Sequence, residues 1–438
     1  MMTPFYPAVL PRSTVHTLWI GGDPVEVLHT DVADFAIIAL NATDQPPVVE
    51  VRRAEGRSID RAVLHPVSRG VDIAIDGGAA RFQPPAPGGY SLEMGTGKPL
   101  YVFFKRSETG GTARDGERTL HIQAGQVADA SQLDLSQIDT LCLAHGAVLR
   151  GPLHVRNRDG FTICGHGIIE GDPHGRRHPL VVLEACSNVV VEGVTLIRPP
   201  AWMLVPAKCD GVSVRDVSFI GEVVSSDGID VLGSSRVVIE DCFIHANDDC
   251  VAVKAFQLGA RNVEDLEIDA RKDVHDVLVR RCVLANWNAG NAMEIGHELA
   301  VDCIEDIVFS DIDVLHVHDK GAVFAIHCYD HAHVRSVVFE NIRIEHCYDK
   351  LIDFRVSFSG YSSDDTRGRI SDVVLRDIDW TSTPFNAGYT ISVIGGWAPE
   401  NPVERVSIQR FRINGRAIQS IEELEIHTRH CKDLLLKP

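Results

Sequence analysis

The sequence lacks any run of about 18 apolar residues, the length that a membrane-spanning helix needs. Its N-terminal stretch, MMTPFYPAVLPRSTVHTLWIGG, also lacks the basic segment and apolar stretch of a secretory signal. We therefore expect a cytoplasmic protein with no membrane partner, or a secreted one if a leader was trimmed from this sequence.

Metal motifs are missing too, since there is no CxxC pair and no HExxH. The 11 cysteines are odd in number and scattered, and several lie in or beside apolar, strand-like runs, which favours buried free thiols over a disulfide framework. One histidine group follows a strand–loop period rather than a ligand motif: His316, His318, His327, His331 and His333. The sequence thus predicts no metal and no cofactor.

An excess of positive charge is the third absence. The net charge of −19 argues against nucleic acid as a partner and, more weakly, against a polyanionic substrate. A hydrophobic content of 45% beside 24% charged residues is typical of a folded globular chain. With 438 residues, the chain is long enough for two domains or one long repeat array.

Short β-rich runs separated by Gly, Pro and Asp turns fill the first hundred residues, among them VHTLWI, FAIIAL and PLYVFFK. This spacing predicts an antiparallel β-sandwich. The polar, glycine-rich stretch 107–118 (SETGGTARDGER) is the predicted linker. We therefore divide the chain into an N-terminal domain, 1–118, and a second domain, 119–438.

Beyond the linker one pattern recurs nine times: apolar-x-apolar, two polar residues, then apolar-x-apolar. Examples are NVVVEGVTLI from Asn188, RVVIEDCFIH from Arg236 and SVVFENIRIE from Ser336. Steps of roughly 23 to 40 residues are too long for hairpins and too short for βα units with full helices, and they suit the coils of a parallel β-helix. Because open terminal strands aggregate, we expect the N-terminal domain to cover one end and the C-terminal tail the other.

Three aspartates stand out within two neighbouring coils: Asp227 in SSDGID, then Asp248 and Asp249 in HANDDC. A separation of about one coil would put Asp227 beneath Asp248, roughly 4.8 Å away. Carboxylates crowded in this way cannot all ionise freely, so at least one pKa should rise and keep a general acid protonated. The pattern favours glycoside hydrolysis, although Asp, Asn and Gly in such motifs can also simply shape turns.

These motifs resemble the polygalacturonase-like β-helix hydrolases, glycoside hydrolase family 28, in which Asn-Thr-Asp precedes Gly-Asp-Asp-Cys by one coil. They resemble more closely the dextranases and isopullulanases of family 49, which share an Asn-Asp-Asp stretch, a tryptophan-containing coil like 287–291 and an N-terminal β-sandwich. The resemblance covers most of 125–415. It implies a right-handed parallel β-helix, Asp248 as general acid, and Asp227 with Asp249 activating water. It also implies inversion, with acid and base about 6.5–9.5 Å apart.

The sequence departs from pectin-cleaving members of family 28 at two places. Their Gly-His-Gly is replaced by 290–292 (GNA), and their Arg-Ile-Lys falls near 324–327 (FAIH), which carries neither cation. A carboxylate substrate needs a charge-assisted partner, best a bidentate arginine. We therefore expect a neutral poly- or oligosaccharide, with a dextran-type α-glucan favoured, and keep a polygalacturonase-type pectin hydrolase as the alternative.

Several further residues are candidates for binding the carbohydrate. Trp287 and Trp202 could stack on sugar rings, with core packing as the alternative for both. Polar candidates flank the aspartates or lie on the next coils: Asn247, Lys254, Asn291, Glu294, His297 and His327. Lys254 is either a groove residue that pairs with Asp248 or Asp249 or an ordinary solvated charge. For the two histidines the alternative is a structural role.

Two other classes fit a β-helix. A polysaccharide lyase or epimerase would act on uronates with a Lys, Arg or Tyr base, commonly with calcium, which clustered aspartates can bind. A non-catalytic glycan-binding β-helix is the other. No apolar stripe in the sequence indicates an oligomeric interface.

Overall fold

The computed structural model describes residues 6–41, 43–95, 97–106, 118–383 and 391–437. Within these ranges the chain is almost entirely β, with 3-10 turns at Ala54–Gly56, Val67–Arg69, Ala130–Gln132 and Ile421–Leu424. None of the described helices is long and apolar enough to cross a membrane.

The N-terminal part is a sandwich of two five-stranded sheets. In spatial order, one contains Asp23–Val25, His16–Ile20, Val49–Arg53, Ala79–Phe82 and Ala74–Asp76, and the other Leu28–His29, Asp34–Leu40, Leu100–Arg106, Gly88–Glu93 and Val63–His65. All pairings are antiparallel except that of Asp34–Leu40 with Leu100–Arg106, which is parallel. Alternating apolar residues of both sheets, such as Ala36, Val51 and Val102, meet in one core.

The rest of the described chain winds into a parallel β-helix, which confirms the predicted fold class. Ten strands form what we call the groove sheet: Leu153–Arg156, Val181–Glu184, Leu204–Ala207, Ile229–Leu232, Val251–Ala255, Met293–Leu299, Ala322–Cys328, Lys350–Val356, Ser392–Gly395 and Ile426–Arg429. Every pairing between neighbours in this sheet is parallel.

A twenty-stranded sheet completes the coils. Its strands are Thr119–Ile122, Val127–Asp129, Thr140–Leu143, Val148–Arg150, Thr162–Gly165, Ile168–Glu170, Ser187–Glu192, Thr195–Ile197, Asp210–Arg215, Ser218–Ile220, Ser235–Glu240, Phe243–Ala246, Val274–Arg280, Val283–Asn286, Cys303–Val317, His333–Ile344, Arg369–Trp380, Val403–Ile413, Arg416–Ala417 and Cys431–Lys437. A small hairpin, Gln257–Leu258 with Ile268–Asp269, projects from one coil.

Stacking of like on like explains why the repeated pattern coils. Val189, Val212 and Val237 occupy equivalent positions in three successive coils, and each is at least 98% buried. Phe309 and Phe339 stack in the same way, with ring centroids 5.2 Å apart. All eleven cysteines lie in the described residues and outside any disulfide, and seven of them are buried. Cys242 and Cys282 are buried as predicted, whereas Cys164 and Cys303 are only partly buried.

The sandwich lies along the side of the β-helix, so the expectation that it covers one end is wrong. Its residues Phe35, Tyr101 and Phe103 share an apolar cluster with side chains from successive coils, among them Ile168 and Phe243. The C-terminal tail supplies the last coil, in which Cys431–Lys437 pairs with Val403–Ile413. Most of the predicted linker, 107–117, lies outside the described residues.

Candidate active site

The three aspartates lie at the edge where two neighbouring groove-sheet strands begin. Asp227 precedes Ile229–Leu232, and Asp248 and Asp249 precede Val251–Ala255. Because Ile229 pairs with Val251, the register places Asp227 opposite Asp249 rather than beneath Asp248, which corrects the predicted stacking. The Gly228 amide donates to the Asp249 carbonyl at 2.8 Å in the same register.

The three carboxyl groups converge, each with an oxygen within 4.8 Å of the others. The separation of about 6.5–9.5 Å that the family resemblance implied for an inverting pair is one between whole carboxyl groups, and the 4.8 Å limit applies to single oxygens. Asp227 and Asp249 are only 2% and 3% exposed, whereas Asp248 is partly exposed. Asp248 is therefore the carboxyl group of the three that a ligand in the groove can contact most directly.

Burial sets the protonation of this cluster. Loss of solvent, and then the negative charge of Asp249, raise the pKa of Asp248 to about 7. Burial and then the neighbouring Asp230 raise the pKa of Asp227 well above its usual value. A carboxylic acid that keeps its proton near neutral pH can act as a general acid.

Lys254 supplies the positive charge inside the cluster. Its Nζ lies 3.0 Å from Asp227, 2.8 Å from Asp230 and 3.8 Å from Asp249. Burial lowers the pKa of Lys254, but the attraction of these carboxylates outweighs that effect and the net pKa is raised. Lys254 is thus a fixed cation rather than a solvated charge.

Trp202 lies beneath Lys254, with Nζ 4.3 Å from its ring centroid. The indole is 4% exposed and belongs to an apolar cluster on the groove sheet. This placement argues against the predicted sugar platform and makes Trp202 a packing residue that supports Lys254.

Asp230 was missed by the sequence analysis. It is fully buried, and burial, only partly offset by Lys254, raises its pKa to about 6. The available signal was strand alternation, because Asp230 and Lys254 both point outward from a sheet whose alternate residues, such as Val231 and Val253, enter the core.

Amide groups of neighbouring residues hold the loop that carries Asp248 and Asp249 in place. We call this loop the catalytic loop. The backbone and side-chain amides of Asn291 donate to one Asp249 oxygen at 2.7 and 3.0 Å, and its side-chain carbonyl accepts from the Ala322 backbone amide. Asn286 donates to the Asp248 carbonyl at 2.6 Å. Asn291 therefore orients Asp249, which differs from the predicted contact with substrate.

Asn247 also has a structural partner, since its side-chain amide donates to the Glu222 carbonyl at 2.7 Å. It is 1% exposed, so it braces the turn before the catalytic pair. The predicted role in substrate binding does not fit this burial.

Four charged side chains continue along the groove sheet. His327 lies 2.9 Å from Glu294 and 3.4 Å from Asp353, and Arg355 forms an ion pair with Asp353 at 2.5 Å. Burial lowers the pKa of His327, but Glu294 and Asp353 raise it by more, to about 9, so the imidazole is a cation at neutral pH.

Arg355 corrects the expectation that no arginine faces the groove. It pairs in register with His327 on the following coil, and its side chain is 37% exposed. Its signal in the sequence is the outward position of the same column one coil after His327, in the strand Lys350–Val356.

Two exposed aromatic rings flank the groove. Trp287 is 42% exposed and stacks on His318 with centroids 4.6 Å apart, so it remains the predicted platform. Tyr361, which the sequence analysis missed, is 57% exposed and stacks on His297 at 5.3 Å. Burial, and then the charge of His327, lower the pKa of His297 to about 3, so this ring is neutral.

Among the described residues, two groups bring three potential metal ligands within 4.8 Å: the aspartates 227, 248 and 249, and Glu294 with His297 and His327. In the first group, the Lys254 ammonium already lies beside Asp227 and Asp249, where a metal cation would have to bind. In the second, both His327 nitrogens face carboxylates and His297 stacks on its ring at 4.6 Å, an arrangement unlike convergent ligation.

Comparison with known proteins agrees with this geometry. A model of the glycosyl hydrolases family 28 matches residues 169–387, half of the chain, and this span includes all three aspartates. The chain belongs to glycosyl hydrolases family 28. It is 30% identical over 121 residues to a polygalacturonase from Juniperus ashei, which covers 23% of this chain and 24% of that protein. This family 28 chain therefore matches about a quarter of the length of that relative.

Two solved structures share the fold. Dex49A from Penicillium minioluteum superposes with a TM-score of 0.68 at 14% identity, covering 96% of this chain and 92% of that one. A hyperthermoactive exopolygalacturonase from Thermotoga maritima gives a TM-score of 0.52 at 14% identity, with 74% and 85% covered.

Proposed function

We propose that this family 28 chain is an inverting glycoside hydrolase that cleaves a neutral poly- or oligosaccharide, with dextran-type α-glucans favoured. The observation that carries the proposal is the cluster of Asp227, Asp248 and Asp249 around Lys254. Asp248, partly exposed and with a pKa near 7, donates a proton to the leaving glycosidic oxygen. Asp227 and Asp249 activate the attacking water.

A buried oxygen supports the position of that water. Asp227 Oδ2 accepts from Lys254, whereas Oδ1 has no hydrogen-bond partner among the described residues. A water on Oδ1 would satisfy it and lie beside the acid. As this water attacks the anomeric carbon, its proton passes to Asp249 and the glycosidic C–O bond breaks. The attacked sugar becomes a hemiacetal, and the proton from Asp248 completes the hydroxyl of the leaving sugar.

Retention of configuration is the second mechanism that a carboxylate cluster allows. In retaining enzymes the two carboxyl groups are about 5–5.5 Å apart and one carboxylate attacks the sugar directly. Family membership supports inversion, and retention would use Asp249 or Asp227 as nucleophile. The anomer formed first distinguishes the two.

Charge balance supports a neutral glycan. The positive charges nearest the aspartates are already paired: Lys254 with Asp227 and Asp230, His327 with Glu294, and Arg355 with Asp353. A uronate would therefore find no free positive charge beside the aspartates, whereas a neutral sugar needs none.

Polygalacturonate is the second candidate, because Arg355 is more than one-third exposed in the groove and can offer a bidentate contact to a carboxylate. The names of the sequence relatives point the same way. Arg355 would have to share its guanidinium with Asp353.

The test is a product assay over dextran, pullulan, α-1,3-glucan, fructan, arabinan and polygalacturonate, with proton NMR in the first minutes. Inverted product from a neutral glycan supports the proposal, and cleavage of polygalacturonate alone assigns the carboxylate to Arg355. Retained configuration overturns the water mechanism. Unsaturated products that absorb in the ultraviolet would indicate a lyase, and the absence of any product would leave a glycan-binding β-helix.

A further inference from the structure

The outward face of the groove sheet changes from mainly apolar to mainly charged at the two strands that follow the aspartates. We call these strands, Ile229–Leu232 and Val251–Ala255, the catalytic strands, and their coil the catalytic coil. On the two strands before them three of the four outward positions are apolar, Val182, Val205 and Ala207, and the fourth is Glu184. In the catalytic coil Leu232 follows the apolar pattern. From Asp230 onward the outward positions are mostly charged, as at Lys254 and Glu294. A groove that binds glycan on both sides of the cleaved bond would need polar groups on both sides.

A segment of the catalytic coil covers this apolar half. We call residues 256–270 the cover segment. The cover segment makes this coil longer than its neighbour. The coil from Val237 to its equivalent Val277 contains 40 residues, whereas the coil from Val212 to Val237 contains 25. Its hairpin packs on the apolar outward positions and on Trp202.

The packing is tight. In the cover segment Phe256, Leu258 and Ile268 are each at most 3% exposed. The Ala270 carbonyl lies so near Gly233 that a β-carbon there would approach it to 2.1 Å. The cover segment is therefore a fixed part of the fold rather than a loose loop.

The cover segment also reaches the opposite wall of the groove. It leaves the ends of the groove-sheet strands, whereas residues 172–178 lead into their beginnings. The Glu264 amide donates to the Arg177 carbonyl at 2.6 Å, and Asp265 forms an ion pair with Arg176. Arg177 donates in turn to Ser225 at 2.9 Å, two residues before Asp227. The groove is thus bridged immediately upstream of the aspartates.

We propose that this enzyme cleaves glycans from chain ends, with the cover segment as the barrier that stops the chain. The inference rests on the proposed hydrolysis and adds its mode of action. A polymer cut internally must pass across Asp248 in both directions, and the bridge blocks one of them. The terminal sugar or short terminal piece lies against the bridge, and the remaining chain extends toward the exposed side chain of Arg355.

The first experiment uses the wild-type chain on dextran and on polygalacturonate, recording viscosity and reducing ends together. On average one random cut per chain halves its length, whereas removal of a terminal sugar leaves it nearly unchanged. We expect reducing ends to accumulate with almost no initial loss of viscosity, and a mono- or disaccharide as the first product of end-labelled oligosaccharides. Early oligosaccharides of mixed length with a rapid fall in viscosity would overturn the inference while leaving hydrolysis intact. No release of reducing ends from any glycan of the panel would defeat the proposed function, and the inference with it.

A variant then tests the barrier itself. Replacing 259–267 by Gly-Asn-Gly keeps the hairpin strands, closes them with a tight turn and removes both bridging residues. We expect the viscosity lost per bond cleaved to rise severalfold. The matched control Gly259→Ala changes the same segment where a β-carbon meets only Glu267 at 4.0 Å, and should keep the wild-type pattern. If the shortened variant folds, cleaves, and still releases only terminal products, the cover segment is not the barrier. If it does not fold, the wild-type product pattern alone decides.

Discussion

Asp248 is the proposed general acid, so its ionisation is expected to set the pH dependence of the site. Its pKa of about 7 comes first from burial and then from Asp249, with Lys254 opposing both. Because a general acid works only while protonated, kcat/KM of the wild type should fall as the pH rises through about 7.

Replacing Asp248 with Asn should abolish most activity yet stabilise the fold at alkaline pH. We expect a loss of roughly 10²- to 10⁴-fold in kcat, the usual contribution of a general acid. Because the folded-state pKa lies above the ordinary 3.8, the unfolded chain releases the Asp248 proton first, and the folded state loses stability as the pH rises between these two values. The Tm of Asp248→Asn should therefore exceed that of wild type near pH 8, and the difference should shrink near pH 5.

The control for this prediction is Asp302→Asn, which removes a carboxylate whose side chain is 94% exposed. It should change neither rate nor Tm appreciably. A Tm for Asp248→Asn that stays below wild type at every pH would show that Asp248 is stabilising when ionised, and would contradict its role as the protonated acid.

Gly290 allows the close approach of the loop that carries Asp248 and Asp249, because glycine has no β-carbon. Its φ is +72°, and a β-carbon there would lie 2.3 Å from the Asp249 amide nitrogen and 2.4 Å from the Asp248 carbonyl carbon. Gly290→Ala should therefore displace the catalytic peptide and cost activity, about 10²-fold for a shift near 1 Å. Gly415→Ala has a similar φ of +75° with nothing within 4 Å, so it isolates backbone strain from the clash. Equal kinetics for the two variants would show that the clash has no effect.

At the scale of the elements, the sequence analysis found what depends on local alternation. Runs such as 189–191, apolar at every second residue, predicted the strands and their stacking, because a buried face must repeat from coil to coil. Register was harder: a separation of 21 residues suggested Asp227 under Asp248, whereas the strands pair Ile229 with Val251. A shift of one residue follows from turn geometry, which the pattern of apolar residues does not specify.

The walls of the groove were less accessible to prediction, because loops have no periodicity. Tyr361 and the cover segment lie in such stretches. Predicting Arg355 would have required assigning the family's arginine position to the coil after that of His327. Trp287 was found because a tryptophan directly after a strand of the catalytic region is conspicuous.

Trp287 should contribute binding rather than chemistry. Trp287→Ala should raise KM roughly threefold to tenfold with little change in kcat, since an aromatic stack is worth about 0.5–1.5 kcal/mol. Trp19→Ala removes an indole from the outer sheet of the sandwich, where it stacks with Arg52 instead, and should leave KM unchanged. A drop in kcat alone for Trp287→Ala would assign the ring to the support of Asn286 and the catalytic loop.

At the scale of the whole molecule, the two parts share one apolar cluster. Phe243 on the β-helix is 1% exposed and contacts Tyr101 and Phe103 of the sandwich, with centroids 4.8 and 5.3 Å away. Tyr101 also bonds to His245 at 2.7 Å, just before the catalytic loop. The sequence predicted both parts but not their side-by-side packing, because either face of each could have been buried.

This shared cluster predicts that the sandwich and the β-helix lose stability together. Phe243→Ala should cost about 3–5 kcal/mol, the usual effect of removing a buried ring. In this variant, backbone amide hydrogen exchange should become faster in both strands, Leu100–Arg106 and Phe243–Ala246, as measured by mass spectrometry. Phe358→Ala, where the ring is 58% exposed, is the matched control and should leave both strands protected. Faster exchange in Phe243–Ala246 alone would mean that the sandwich is stable by itself, and that the cluster joins two independent units instead of making them one.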